Sequence, residues 1–177
     1  MSWTPEVGCT LSHLKALATA YRQGHEVVLV LEDDADLTAE AIWPLSLSEL
    51  AAKAPANWHC VNLCDFSTSL SWSQEVSFSA PPRPIPVGFS TVAYLVSRSG
   101  LAAATGALKD PAATIGQLKT CAADKLIFGI LDQVYSCSFP MISAYNNHEE
   151  HDSTIHTDHT DMHCIWVRDM LKAQLGE

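Results

Sequence analysis

The chain has 177 residues, a length that fits one domain and hardly two. Apolar residues make up 47% of it, which excludes collagen-like, disordered and coiled-coil proteins and is enough to build a core without disulfides. The formal net charge of -10 repels phosphate backbones, so we expect no nucleic acid partner.

The sequence shows no feature of a membrane or secreted protein. No apolar run approaches the roughly 18 residues that span a bilayer, and no signal-like apolar stretch follows the polar N-terminus. The six cysteines have neither zinc-site nor disulfide-framework spacing. We therefore expect a cytoplasmic protein with reduced thiols and no membrane span. The even cysteine count leaves pairing open as an alternative.

The first predicted element is a helix. Pro5 suits a first helical position, and Gly24 suits a helix end. Because Gly8 lies early in this stretch, we expect the regular helix to begin only near Thr10 or Leu11. Its apolar stripe recurs at spacings of three and four residues and consists of Leu11, Leu14, Leu17, Ala18 and Tyr21.

A strand follows over residues 27–31. This unbroken run of Val and Leu is typical of a strand covered on both faces, as in a parallel sheet with helices packed on it. Glu32, Asp33 and Asp34 come directly after it. Open α/β sheets bind their ligands at the carboxyl ends of such strands, so we expect a site here.

The other predicted elements complete an α/β fold in the region 1–145. They are a helix over 38–53, a strand over 59–64, a long proline-rich loop over 67–88, a strand over 90–96, helices over 99–108 and 115–130, and a strand over 134–142. Residues 146–177 are predicted to form a polar, His-rich tail with a short helix over 165–175.

The three adjacent carboxylates favour a metal site. Adjacent carboxylates repel each other unless a cation or hydrogen-bond donors neutralise them. Mg²⁺ and Mn²⁺ prefer such oxygen ligands and keep positions open for substrate phosphates. The alternative is a solvated acidic turn between a strand and a helix.

The stretch E-V-G-C-T-L-S-H is a second candidate site. In the first turns of a helix, free backbone N–H groups together with Ser12 and His13 can receive an anion. The alternative is a capping serine beside a surface histidine. Cys9 is interpreted as a small buried residue rather than a nucleophile.

The C-terminal tail is a third candidate. It carries five histidines within sixteen residues, among acidic residues and beside Cys164, and this composition can bind Zn²⁺ or another transition metal. The spacing matches no named zinc motif, and a solvated tail that titrates between about pH 5 and 8 is the alternative. The histidines are His148, His151, His156, His159 and His163.

Several of these blocks resemble glycosyltransferase family 25, the lipooligosaccharide and collagen galactosyltransferase-like group. "PEVGCTLSHLKAL" followed by "VVLVLEDDADL" is similar to the opening signature of that family. "STVAYLVSRSGLAAA" and "AADKLIFG…VYSCSFPMI" resemble its later blocks. The resemblance extends from about Pro5 to Ile142, and its first two blocks are the most specific because of their joint spacing.

The resemblance implies a GT-A-like (Rossmann-like) mixed sheet flanked by helices. It implies an inverting transferase that moves a hexose, with galactose expected, from a UDP-sugar to a saccharide hydroxyl, as in lipopolysaccharide biosynthesis. Glu32 and Asp34, with Asp33 between them, match the motif that holds Mn²⁺ (or Mg²⁺) on the donor diphosphate. Such a cation stabilises the charge that develops on the leaving group.

The resemblance also implies roles for residues outside the acidic triplet. Asp124 is the candidate catalytic base, with an ordinary helix carboxylate paired to Lys125 as the alternative. Tyr94 and Ser97 are candidates for the donor pocket, with simple packing as the alternative. Ser12 and His13 are assigned to donor binding, and His148 or His151 to a further metal ligand.

One departure from the family pattern shapes the expected fold. Family members usually carry an upstream segment that begins with a strand, whereas this chain starts at the E-V-G-C block. The resemblance therefore implies an N-terminally truncated sheet with an exposed edge, which a second copy or another chain can complete. A rival function is an inactive remnant that acts as a binding or assembly partner. A third is a zinc-dependent hydrolase built on the histidine tail.

Overall fold

A computed structural model describes most of the predicted α/β region and one residue of the tail. Most of the proline-rich loop lies outside the described residues, as do Cys121, His148, His151 and the helix predicted over 165–175, apart from Lys172. The described residues are 5–65, 75–81, 90–118, 122–139, 141–144 and 172.

Helices and strands alternate along the described chain. The helices are α1 Pro5–Arg22, α2 Leu47–Lys53, α3 Arg98–Lys109, α4 Pro111–Leu118 and α5 Ala123–Ile130, with a 3-10 helix at Thr38–Ile42. The strands are β1 Val27–Leu31, β2 Ala35–Asp36, β3 Cys60–Asn62, β4 Phe78–Ser79, β5 Ala93–Ser97, β6 Val134–Cys137 and β7 Ser143–Ala144.

The fold is mixed α/β, with a five-stranded mixed sheet flanked by helices. The strand order is β1-β5-β3-β6-β4, in which β3 and β6 are parallel and the other neighbours are antiparallel. A second, two-stranded sheet pairs β2 with β7. Because β1 and β3 both run antiparallel to β5, the strands β1, β3 and β6 point the same way. Their carboxyl ends therefore meet at one edge of the sheet.

Apolar side chains cover both faces of the sheet. On one face α1, α3 and α5 bury Leu14, Leu17, Leu101 and Leu126 against strand residues that include Tyr94. On the other face the core contains Leu50, Trp58, Val61, Leu95, Phe139 and Met141. The core on the first face fixes α1 over the sheet, and α1 carries Cys9 and His13.

The strand predicted over 27–31 is present and packs on both faces, with Leu29 against one core and Val28 and Val30 against the other, but the predicted parallel pairing is wrong. β1 lies at the end of the described sheet and pairs antiparallel with β5, and Val27 and Leu31 are 41% and 39% exposed. A run of β-branched and leucine residues indicates a strand, but it does not report how many neighbours that strand has. Within the described residues, the outer edge of β1 has no strand beside it.

Four predicted boundaries are also corrected. α1 begins at Pro5 rather than near Thr10, because Gly8 is exposed and a helix tolerates it at a cost of about 1 kcal/mol. The helix predicted over 38–53 is interrupted around Pro44, and α2 restarts behind a capping box of Ser46 and Glu49.

The helix predicted over 115–130 is two helices, since Ala122 is extended and α5 starts after it. The strand predicted over 134–142 ends at Cys137, and Ser143–Ala144 belongs to the second sheet instead. Among the described residues, Cys9, Cys60 and Cys137 have free thiols. In the part of the chain that the structure describes, no helix has both the length and the apolar character to cross a membrane.

Candidate active site at the carboxyl edge of the sheet

The acidic triplet forms a tight turn that is attached to the sheet. The Glu32 backbone N–H donates to the Val92 carbonyl at 2.9 Å, so the residue after β1 is held against the start of β5. The Ala35 N–H donates back to the Glu32 carbonyl at 3.2 Å, which folds Asp33 and Asp34 into the turn. Backbone hydrogen bonds therefore fix the position of the triplet at the predicted sheet edge.

His13 lies between the acidic turn and the core. It is on the buried face of α1 and is 7% exposed. Its Nε2 is 3.1 Å from Glu32 Oε1, and its Nδ1 is 2.8 Å from the Tyr94 hydroxyl oxygen. The two hydrogen bonds connect the first helix, the acidic turn and the centre of β5.

The partners of His13 assign its tautomer. An ionised carboxylate only accepts hydrogen bonds, so the Nε2–H of His13 donates to Glu32. In the neutral imidazole, Nδ1 is then the acceptor, and the Tyr94 hydroxyl donates to it. The alternative of a surface histidine at position 13 is therefore wrong. The reason is that residue 13 lies four positions before Leu17 and therefore shares the buried face of α1.

Cys9 completes a group of three side chains. It lies one helical turn before His13, and a four-residue spacing puts both residues on the same face of α1. The Cys9 Sγ, a ring nitrogen of His13 and a carboxylate oxygen of Glu32 all lie within 4.8 Å of one another. Sulfur, imidazole and carboxylate ligand atoms are thus brought together at one point.

Negative charge from two separate elements converges on the Cys9 thiol. Partial burial raises its pKa to about 11, with further contributions from the carboxylates of Glu32, Asp124, Asp33 and Asp34 in that order. Asp124 comes from the first turn of α5, more than 80 residues beyond the acidic turn. We call these four carboxylates the acidic corner. It contains every carboxylate predicted to hold the metal or act as the base.

Tyr94 lies beneath the acidic corner rather than on its surface. Its side chain is completely buried and contacts the Phe128 ring edge-on, with ring centroids 5.7 Å apart. Burial raises its pKa well above the usual value, with smaller contributions from Cys60, Glu32 and Cys9. The residue therefore remains a neutral phenol and reaches the site through His13, not as an open wall of a donor pocket.

The hydroxyls of Ser12 and Ser97 form hydrogen bonds outside the acidic corner. Ser12 is exposed, and its hydroxyl donates to the Gly8 carbonyl at 3.0 Å. Because α1 starts at Pro5, the backbone N–H of Ser12 lies in the helix interior and is not available to an anion. Ser97 caps α3 at the opposite end of β5 and donates to the Trp58 carbonyl.

Asn62 is a site residue that the sequence analysis missed. It is completely buried on β3, directly across from Tyr94 in an antiparallel pair, so the two side chains share a face. Its Oδ1 accepts from the Cys64 N–H at 2.9 Å, while its Nδ2 has no hydrogen-bond partner among the residues that the structure describes. A polar residue between Val61 and Leu63, inside a buried strand, was the available signal.

An open cleft of about 690 Å³ lies at the other edge of the sheet. It is lined by residues that include Tyr21, Glu26, Val27, Trp58 and Arg98. The Arg98 guanidinium lies 4.0 Å from the Tyr21 ring centroid and donates to the Tyr21 carbonyl at 2.7 Å. This arginine therefore serves to attach α3 to α1. Of the two residues predicted for the donor pocket, Ser97 lines this cleft and Tyr94 does not.

Comparisons of the chain with family models, with curated proteins and with solved structures gave no match.

Proposed function

We propose that the chain is a metal-dependent glycosyltransferase of GT-A type, related to glycosyltransferase family 25. It transfers a hexose, with galactose expected, from a UDP-sugar to a saccharide hydroxyl with inversion. The observation that carries the proposal is the turn of Glu32, Asp33 and Asp34, which backbone hydrogen bonds hold at the carboxyl edge of the sheet. Asp124 from α5 contributes with these three carboxylates to the raised pKa of the Cys9 thiol. The acidic turn and α5 are far apart in the sequence, so only folding brings their carboxylates near the same thiol.

The residue types of the acidic corner support the proposal of a hard divalent cation. Its donor atoms are carboxylate oxygens, the ligands that Mn²⁺ and Mg²⁺ prefer, and a cation relieves the repulsion among them. Glu32 is 26% exposed and Asp34 is half-buried, so both can face a ligand from a fixed backbone. These two residues would hold the cation, which when bound neutralises the charge developing on the departing diphosphate.

His13 and Asp124 have the remaining roles: one orients the Glu32 carboxylate and the other deprotonates the acceptor hydroxyl. His13 donates to Glu32 and keeps that carboxylate in one orientation. Asp124 is half-buried in the first turn of α5 and would accept the proton of the acceptor hydroxyl. As that proton leaves, the acceptor oxygen bonds to C1 of the donor sugar, and the bond from C1 to the diphosphate oxygen breaks.

Release of UDP from UDP-galactose tests the proposal, with and without a mixture of saccharide acceptors. We expect Mn²⁺-dependent release that falls at least about 100-fold in Asp124→Asn, the range for loss of a positioned acid–base group. Asp34→Asn removes a proposed metal ligand and should abolish the Mn²⁺ dependence. Glu40→Gln is the matched control, because Glu40 is an exposed carboxylate on the 3-10 helix and its substitution removes the same charge. Release that ignores Mn²⁺, or that survives both variants, would refute the proposal.

A second candidate function is an inactive remnant that acts as an assembly partner. The observation that favours it is the outer edge of β1, where Val27 and Leu31 are exposed. An exposed strand edge is a template for pairing with another chain. Size-exclusion chromatography with light scattering separates the candidates: an obligate complex without turnover supports the remnant, and a monomer that releases UDP supports the enzyme.

A further inference from the structure

We propose that Cys9, His13 and Glu32 form a binding site for one thiophilic transition-metal ion of the Zn²⁺ class. The ion would bind the free protein, without any nucleotide. The site shares Glu32 and His13 with the proposed transferase site, and it adds the Cys9 sulfur, to which the proposed transferase function gives no role. It therefore does not depend on the proposed function.

The geometry of the three side chains suits one ion. Their ligand atoms lie within 4.8 Å of one another, and His13 Nε2 is 3.1 Å from Glu32 Oε1. With Zn–S bonds of about 2.3 Å and Zn–N and Zn–O bonds of about 2.0 Å, neighbouring ligand atoms in a tetrahedral site lie roughly 3.2–3.6 Å apart. Rotation of the Cys9 side chain would bring the sulfur from within 4.8 Å of the other ligand atoms to this tetrahedral spacing. Three protein ligands leave a fourth position for water.

Tyr94 supplies the outer support that metal-bound histidines usually have. When the ion takes the place of the Nε2 proton, the neutral imidazole carries its proton on Nδ1 instead. That Nδ1–H then donates to the Tyr94 oxygen, which is 2.8 Å away. Tyr94 is completely buried, so it holds the ring in one orientation, as the second partner of a metal-bound histidine does.

Negative charge attracts a divalent cation to this site, and the types of ligand atom favour a softer cation over a hard one. The acidic corner surrounds Cys9 with negative charge, which attracts a divalent ion. On binding, the Cys9 thiol releases its proton to solvent, and the sulfur donates an electron pair to the metal. Thiolate and imidazole ligands select Zn²⁺ and Co²⁺ over Mn²⁺ and Mg²⁺. Cys9 is half-buried and Glu32 is 26% exposed, so an ion can reach the site.

Titration of the metal-free full chain with Co²⁺ tests the site, because cobalt reports thiolate ligation by an intense near-ultraviolet charge-transfer band. We expect the band to saturate at one ion per chain and to disappear on addition of Zn²⁺. Cys9→Ser is nearly isosteric and should abolish the band. Cys164→Ser and Cys121→Ser are the matched controls, and each should retain it.

Two further variants separate ligation from a structural role. Glu32→Gln should weaken Co²⁺ binding at least about tenfold, and Tyr94→Phe should weaken it about 10- to 100-fold, the range for the outer partner of a metal ligand. Circular dichroism confirms that each variant is folded. A wild type without the band, or a band that persists in folded Cys9→Ser, would overturn the proposal. No nucleotide is present, so a failure here is separate from a failure of the transferase proposal.

Discussion

His13 Nε2 lies 3.1 Å from Glu32 Oε1, although 19 residues separate the two along the chain. The contact forms because α1 packs across the sheet face and β1 returns beneath it, so that the end of the strand meets the third turn of the helix. The same imidazole reaches Tyr94, 81 residues away, through its other nitrogen. One buried ring thus connects the acidic turn to the centre of the sheet.

Removing the Tyr94 hydroxyl tests that connection. We expect Tyr94→Phe to lower the free energy of unfolding by about 1–2 kcal/mol, because it leaves a buried imidazole nitrogen without its partner. Urea denaturation measures the change. Tyr135→Phe is the control, since its half-exposed hydroxyl donates to Gln133 at 3.2 Å and its loss should cost less than about 0.5 kcal/mol. Equal effects would contradict the buried His13–Tyr94 contact.

Two glycines of α3 should respond in opposite directions to alanine. A Cβ on Gly100 would lie 2.3 Å from the His59 carbonyl oxygen and 2.8 Å from Val96 Cγ1, so helix and strand would have to separate. We expect Gly100→Ala to destabilise the protein by about 2–4 kcal/mol. Gly106 has nothing within 4 Å, and Gly106→Ala should stabilise it by about 0.5–1 kcal/mol. Thermal unfolding of both variants measures this, and destabilisation by Gly106→Ala would contradict the described packing.

The raised pKa of the Cys9 thiol predicts a pH profile for its alkylation. Only the thiolate reacts, so with a pKa of about 11 the rate at neutral pH should be low and should rise about tenfold per pH unit without levelling off near pH 9. Peptide mapping after iodoacetamide treatment follows this cysteine alone. Asp124→Asn removes one of the charges that raise the pKa and should increase the rate near pH 8.

The control for that experiment is Glu40→Gln, which removes a distant carboxylate and should leave the alkylation rate unchanged. A wild-type rate that levels off near pH 8.5 would show that the carboxylates do not surround the thiol. An increase with Glu40→Gln as large as that with Asp124→Asn would show that only the net charge of the protein matters.

The sequence predicts the helices and strands themselves better than it predicts which strands pair. The Val and Leu run of β1 and the apolar stripe of α1 are local patterns, and both elements are present. Which strands pair is decided by contacts between distant residues, and so the antiparallel pairing of β1 with β5 could not be read from the run itself. The breaks near Pro44 and Ala122 depend on one or two residues, which a periodicity over many residues does not resolve.

The site was predicted in part for the same reason. The position of Glu32, Asp33 and Asp34 after a strand is visible in the sequence, and the structure places them at the expected edge. The contacts of His13 with Tyr94, and the burial of Asn62 beside that tyrosine, arise only when α1 and β3 pack on β5. The sequence favours a packing role for Cys9, because a single cysteine carries no spacing information.

Isothermal titration of UDP with and without Mn²⁺, on the wild type and on Asp34→Ala, tests the central claim most directly. If the acidic corner holds a cation that in turn binds a nucleotide diphosphate, UDP binds the wild type only when Mn²⁺ is present. In Asp34→Ala, that metal-dependent binding is lost while the fold is retained. Equal binding of UDP with and without the metal, or equal binding by the variant, would contradict the account.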